Sequence, residues 1–136
     1  MKLLMIYCDL FSYHPTVKTL DMVEEATEGK AFEKVQAAFI HMEEGDEERE
    51  KELAKKLIKN LKWVTGKNKT KKIVLHSFAH LSETKADPAF TMAFFNAVQQ
   101  RLENSGFDVS QTPFGYFLDL KVEAPGFSLA RVFKSL

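Results

Sequence analysis

The stretch Lys72-Ile73-Val74-Leu75-His76-Ser77-Phe78-Ala79-His80 decides how the chain is organised. Ile73-Val74-Leu75 is a short apolar run and reads as a buried strand. A basic turn, Gly66-Lys67-Asn68-Lys69-Thr70-Lys71-Lys72, leads into it. Before that turn, Leu53, Leu57, Leu61 and Val64 recur at helical spacing, which predicts a helix over 46–65. Acidic residues crowd its first turns and lysines its last. That order complements the helix dipole, and Glu47→Lys51 and Glu52→Lys56 have the favourable spacing of four. After the strand, Asp87-Pro88 reads as an N-cap and first-position proline, Phe90, Ala93, Phe94, Ala97 and Val98 as an apolar helix face, and Gly106 as the C-terminal cap.

Further out the same grammar continues. Residues 2–8 form an apolar run expected to be a strand covered on both faces, and Val35–Ile40 a second core strand ending in the acidic turn 43–46. Residues 9–31 read as loose and turn-rich, with His14-Pro15 and Gly29 as breakers. Phe107–Val109 is expected to be a short strand. Residues 115–123 alternate, with Tyr116, Leu118, Leu120 and Val122 on one face and Phe117, Asp119, Lys121 and Glu123 on the other. A short helix is expected from about Ser128. Strands interleaved with helices give an α/β fold, a mixed β-sheet packed with helices, as one domain over 1–136.

Composition narrows the classes. The 136 residues are 45% hydrophobic with 6 Gly and 4 Pro, which excludes disordered and collagen-like chains. Nineteen basic residues balance nineteen acidic ones, so any nucleic-acid contact has to come from a local patch. The single cysteine, Cys8, suits a reducing, cytoplasmic setting, and reads as a small core hydrophobe rather than a reactive thiol. The apolar run after Lys2 is stopped by Asp9, too short for a signal peptide, and no stretch reaches membrane-spanning length. We therefore expect a soluble protein with no membrane association.

Phosphate loops, dinucleotide fingerprints and nucleophile elbows are absent. His76 and His80 are four apart at the end of a strand, so about 13 Å separates them in extended chain, too far to share one ion. No metal and no cofactor is expected. Two segments stand out: Ser77-Phe78-Ala79-His80-Leu81-Ser82 at the end of one strand, and Thr112-Pro113-Phe114-Gly115-Tyr116-Phe117 at the start of another. Pro, Gly and aromatics at strand ends suit a ligand pocket with backbone donors, or a pair of packed aromatic loops.

Both segments carry a resemblance. Phe78-Ala79-His80-Leu81-Ser82 resembles the F/Y-A-H-L-S-S loop of the archaeal-type N-terminal editing domain of threonyl-tRNA synthetase. Pro113-Phe114-Gly115-Tyr116 resembles that family's A-P-F-G-Y/W-Y-K strand start, and Lys2–Asp9 is similar to its first strand. The resemblance implies a D-aminoacyl-tRNA deacylase-like fold, a homodimer, and removal of serine wrongly attached to threonine tRNA. In the family, backbone groups of the F-A-H loop grip the substrate's amino group. The RNA's 2′-hydroxyl assists attack by water, and a lysine of the P-F-G strand supports it.

Carried over, His80 would be catalytic, and Phe78, Ala79, Phe114, Gly115, Tyr116, Phe117 and Leu118 would line the substrate pocket. The family's lysine falls on Leu118 and the tyrosine before it on Phe117. Lys121 points to the opposite face of its strand and cannot stand in. Where the family ends C-K-G-H-P-L-A-E-L, this chain reads Ala124-Pro125-Gly126-Phe127-Ser128-Leu129-Ala130-Arg131-Val132.

With no synthetase catalytic domain in the sequence, the expected activity is deacylation in trans, alone or beside a separate threonyl-tRNA synthetase. The alternative is a module that binds aminoacyl-tRNA, a small ligand or a synthetase without turnover. Lys71, Lys72 and Arg131 are the expected RNA contacts, Arg131 because a cation in the first turn of a helix calls for an anion.

Overall fold

The apolar run that opens the chain does form a strand, but Asp9 does not end it. In the computed structural model, which describes residues 1–136, β1 runs Lys2–Lys18. It pairs antiparallel with β2 (Lys30–His41) from Lys2↔His41 to Tyr13↔Lys30. The segment expected to be loose therefore shrinks to 19–29. Pro15 is tolerated because it lies past the end of β2, where no ladder partner on that side is lost. On its other side the pairing shifts register between Pro15 and Lys18.

After a 3-10 turn at Asp46–Arg49 come α1 (Glu50–Asn68), β3 (Lys72–Ser77), α2 (Pro88–Asn104), β4 (Asp108–Gln111) and β5 (Tyr116–Glu123). The Asp46 carboxylate accepts the Glu43 N–H at 2.7 Å and meets the Met1 amino group at 3.0 Å, which fixes the turn ahead of α1. Leu53, Leu57, Leu61 and Val64 are all buried, as their spacing requires. The helix runs past Gly66 and stops where Lys69 turns left-handed (φ 55°) and caps the Thr65 carbonyl. Residues 66–68 thus belong to α1, not to the basic turn.

Asp87 caps α2 as expected, its side chain accepting the Phe90 N–H at 3.1 Å. The buried stripe of α2 is Phe90, Phe94, Phe95, Val98 and Leu102, while Ala93 and Ala97 face solvent. The bulkier side chains at 95 and 102 take the core positions because they remove more apolar area from water.

The expected C-terminal helix is replaced by a 3-10 turn, Ser128–Ala130, and a strand, β6 (Arg131–Ser135). β5 pairs with β1 only from Leu10 onward, which leaves the edge of Lys2–Ile6 open, and β6 fills it. The sheet order is β4-β3-β2-β1-β5 with β6 also on β1. β2, β3 and β4 are parallel, and the other pairs are antiparallel. Both helices pack on one sheet face, over a core that includes Leu3, Met5, Ile40, Leu57, Phe94 and Leu102. A smaller cluster of Cys8, Phe11, Val35, Ala37, Phe39 and Val74 lies on the other face of the sheet.

The link from β4 to β5 sets the shape. Those strands sit at opposite ends of the order, about 19 Å apart in a flat sheet. The five Cα steps from Gln111 to Tyr116 span at most about 17 Å. The sheet therefore curls, and Thr112–Gly115 bridges its two edges.

Candidate functional site

That curl brings the two unusual segments together. β3 and β4 are parallel neighbours, so the chain leaves both at the same end of the sheet, at Ser77 and at Gln111. Between the loops lies a cavity of about 280 Å³, at the small end for ligand clefts. Ala79, His80, Phe114, Gly115, Tyr116, Phe117 and Leu118 all line it. So do Thr19, His41, His76 and Lys85, which lie outside the two unusual segments, and Thr112, which opens the second of them.

Phe78 stands behind the wall rather than on it. Its ring packs edge-on against Phe39 at 5.2 Å and against His80 at 4.9 Å, and so orients the histidine from the core side. His76 lies deeper, its Nδ1 2.9 Å from the Thr112 hydroxyl, and ties the two loops together. Burial, aided by the charge of His80, pushes His76 down to about 4, so it is neutral at physiological pH.

His41 holds the first loop in place. Its Nδ1 accepts the Leu81 N–H at 3.0 Å, which leaves Nε2 to donate to the Thr84 carbonyl at 2.6 Å. Ser82 donates to Glu43 at 2.7 Å. Burial tends to raise the Glu43 carboxyl, but hydrogen bonds from the Met1 amino group and Ser82, with the charges of that amine and Lys2, pull it down to about 2. Between these anchors, the N–H groups of Ala79 and His80 have no backbone partner.

The second loop is fixed just as firmly. The Gly115 carbonyl accepts both the backbone N–H of Thr19 (2.7 Å) and its hydroxyl (2.9 Å). Gly115 has φ 81°, and a Cβ there would come within 3.1 Å of Val23. The Tyr116 hydroxyl accepts the Ala26 N–H at 2.9 Å, so it is engaged structurally. The N–H groups of Phe114 and Gly115 have no backbone partner, like those across the cavity. Four cavity-lining residues whose backbone N–H groups have no backbone partner, on two pinned loops and with a histidine among them, suit a small polar ligand.

With this geometry in hand, the comparisons are specific. The sequence model of the archaea-specific editing domain of threonyl-tRNA synthetase matches residues 1–136. The chain belongs to that family. It is 30% identical over 139 residues to the threonine–tRNA ligase of Thermococcus sibiricus, covering 100% of this chain and 22% of the relative. With the ligase of Nitrosopumilus maritimus the identity is 33% over 132 residues, covering 96% and 20%. The chain thus spans about a fifth of these relatives' length. Among solved structures, c-Myc DNA Unwinding Element Binding Protein matches with a TM-score of 0.68 at 11% identity, covering 100% of this chain and 99% of that one. That likeness bears on fold alone, and the fold of the editing-domain family member described here is the D-aminoacyl-tRNA deacylase-like α/β fold.

The expected RNA contacts lie away from the cavity. Lys71 precedes β3 and Lys72 opens it, while the cavity begins at His76 of the same strand, so about 13–17 Å separates them from it. Lys71 sits over the Phe107 ring (4.6 Å), beside a second hollow lined also by Lys62 and Lys69. Lys72 donates to the Glu33 carbonyl at 3.2 Å. Arg131 is in β6, not in a helix, so the dipole argument for it lapses. Its guanidinium donates to the carbonyls of Pro125 (3.1 Å) and Ala124 (3.4 Å). No helix is long and apolar enough to cross a membrane.

His41, Lys85 and Thr19 left no local signal. His41 closes an apolar strand and Lys85 sits in a polar loop. Only the folding of loop on loop gives them a place in the site.

Proposed function

We propose that this domain hydrolyses the ester joining serine to the terminal ribose of threonine tRNA. The observation that carries the reading is that the F-A-H and P-F-G loops face each other across one small cavity with unpaired backbone N–H groups on both. Water attacks the ester carbonyl, the bond to the ribose oxygen breaks, and a proton passes to that oxygen, giving free serine and tRNA. Ala79 and Gly115 would hold the substrate and its developing oxyanion, with His80 at the reacting end and the RNA's 2′-hydroxyl assisting. Sparing of threonyl esters would follow the logic of a second sieve, which admits the smaller side chain and rejects the one with an added methyl. The reading extends to action in trans on tRNA released by a separate threonyl-tRNA synthetase, in the cytoplasm and as a homodimer. Half-buried Leu4 and Ile6, with Phe133 beside them on β6 at 52% exposure, support the last point. Lys71, Lys72 and Arg131 would touch RNA beyond the acceptor end.

The test is loss of label from seryl-tRNA specific for threonine, with threonyl-tRNA and a D-aminoacyl-tRNA as controls. We expect serine to be removed and threonine spared, and His80→Ala to slow the reaction roughly 10²-fold. Unchanged hydrolysis by both His80→Ala and Ala79→Pro would sink the assignment of this cavity. Apolar Leu118 in the cavity wall favours a second reading, a module that binds aminoacyl-tRNA without turnover. Tight binding with no hydrolysis would establish it.

A further inference from the structure

Of the residues around the cavity, Lys85 alone carries a permanent charge. The histidines of the wall are titratable, and His76 is held neutral. Lys85 takes part in none of the ion pairs of the chain. Glu83 and Asp87 flank it two residues away. Neither lines the cavity, and Asp87 is engaged in capping α2.

The residues on both sides of Lys85 are pinned: the Thr84 carbonyl accepts from His41 at 2.6 Å, and the Ala86 N–H donates to the Met42 carbonyl at 3.0 Å. The Thr84 hydroxyl also accepts the Glu44 N–H at 3.2 Å. Lys85 is exposed and also borders the cavity, which puts the residue at the rim, and its side chain starts there from fixed backbone.

The chemistry then divides by depth. The interior, with Ala79, Gly115 and Leu118, holds no Asp, Glu or Arg and offers backbone N–H groups without backbone partners. An aminoacyl ester brings a cationic amino group, which a lysine deep inside would repel and one at the rim does not. The anionic groups of an aminoacylated RNA end are its phosphates. We propose that Lys85 is a positioning residue that holds the 5′-phosphate of the terminal nucleotide, fixing the distance between rim and ester. This rests on the reading of the cavity as an aminoacyl-RNA site.

Two hydrolysis-resistant probes separate the possibilities: 3′-seryl-amido adenosine with and without a 5′-phosphate, titrated by calorimetry. At low salt the phosphate should tighten binding to the native domain by up to about five-fold, the most an exposed ion pair supplies. The gain should fade as salt rises, vanish in Lys85→Gln and return in Lys85→Arg. Equal binding of the two probes by the native domain, or an undiminished preference in Lys85→Gln, overturns the role of Lys85 and leaves the cavity's assignment standing. Binding of neither probe overturns both. In turnover the Lys85→Gln loss should fall on KM. A loss confined to kcat would place Lys85 at the reacting centre instead and overturn the phosphate assignment.

Discussion

Gly115 is held at φ 81° with its carbonyl doubly bonded to Thr19 and its Cα facing Val23 at close range. A side chain there meets two penalties, the left-handed backbone and a contact at 3.1 Å. Gly115→Ala should therefore lower stability by about 1–3 kcal/mol in urea unfolding and move the loop that carries Phe114. An unchanged midpoint would show that the segment around Val23 yields freely. The neighbouring residues divide by direction along β5. Tyr116, Leu118 and Leu120 are half-buried while Phe117, Asp119 and Lys121 are exposed, so the alternation holds that far and ends at exposed Val122, although Phe117 as well as Leu118 borders the cavity.

Among the elements, the segment 19–29 depends most on the site. It has no helix or strand of its own and is fixed by Thr19 on Gly115 and by the Ala26 N–H on the Tyr116 hydroxyl. Removing that hydroxyl in Tyr116→Phe should speed amide exchange at Ala26 about five-fold, the value of one net hydrogen bond, while exchange in β2 and β3 is unaltered. Equal acceleration throughout the sheet would instead mean global destabilisation. The alternation of residues 115–123 predicts the strand but not this use of Tyr116, because the partner is ninety residues away in sequence.

Taken together, the titrations of buried His76 and half-buried Glu43 set how the molecule responds to acid. His76 has an ordinary value of 6.5 and about 4 when folded, so the unfolded chain takes up the proton first as pH falls. Its contribution is complete above 6.5 and is lost between 6.5 and 4, roughly 3 kcal/mol in all. Glu43, about 2 in place of 4.5, adds a second loss between 4.5 and 2. Stability in urea should be flat near neutral pH and lower at pH 4.5, and most of that difference should disappear in His76→Phe. The same slope in the variant would assign the acid sensitivity elsewhere. Both groups anchor the F-A-H loop or its neighbour, so acid should loosen the site before the helices.

Local pattern was enough for the order of elements through β5, for the buried face of α1, for the cap of α2 and for the two loops that face the cavity. Each of those rests on residues within a turn or two of one another, where side-chain spacing and capping act directly. Pattern failed at Pro15, at Gly66 and at Arg131. In each case what matters is a distant neighbour: the end of β2, the left-handed Lys69 at the close of α1, the open edge of β1. Likewise His41, Lys85 and Thr19 enter the site only because a four-residue link forces the sheet to curl and lays one loop against another. Periodicity records which side of an element is buried, but sheet closure is a property of several strands at once, and no single segment encodes it.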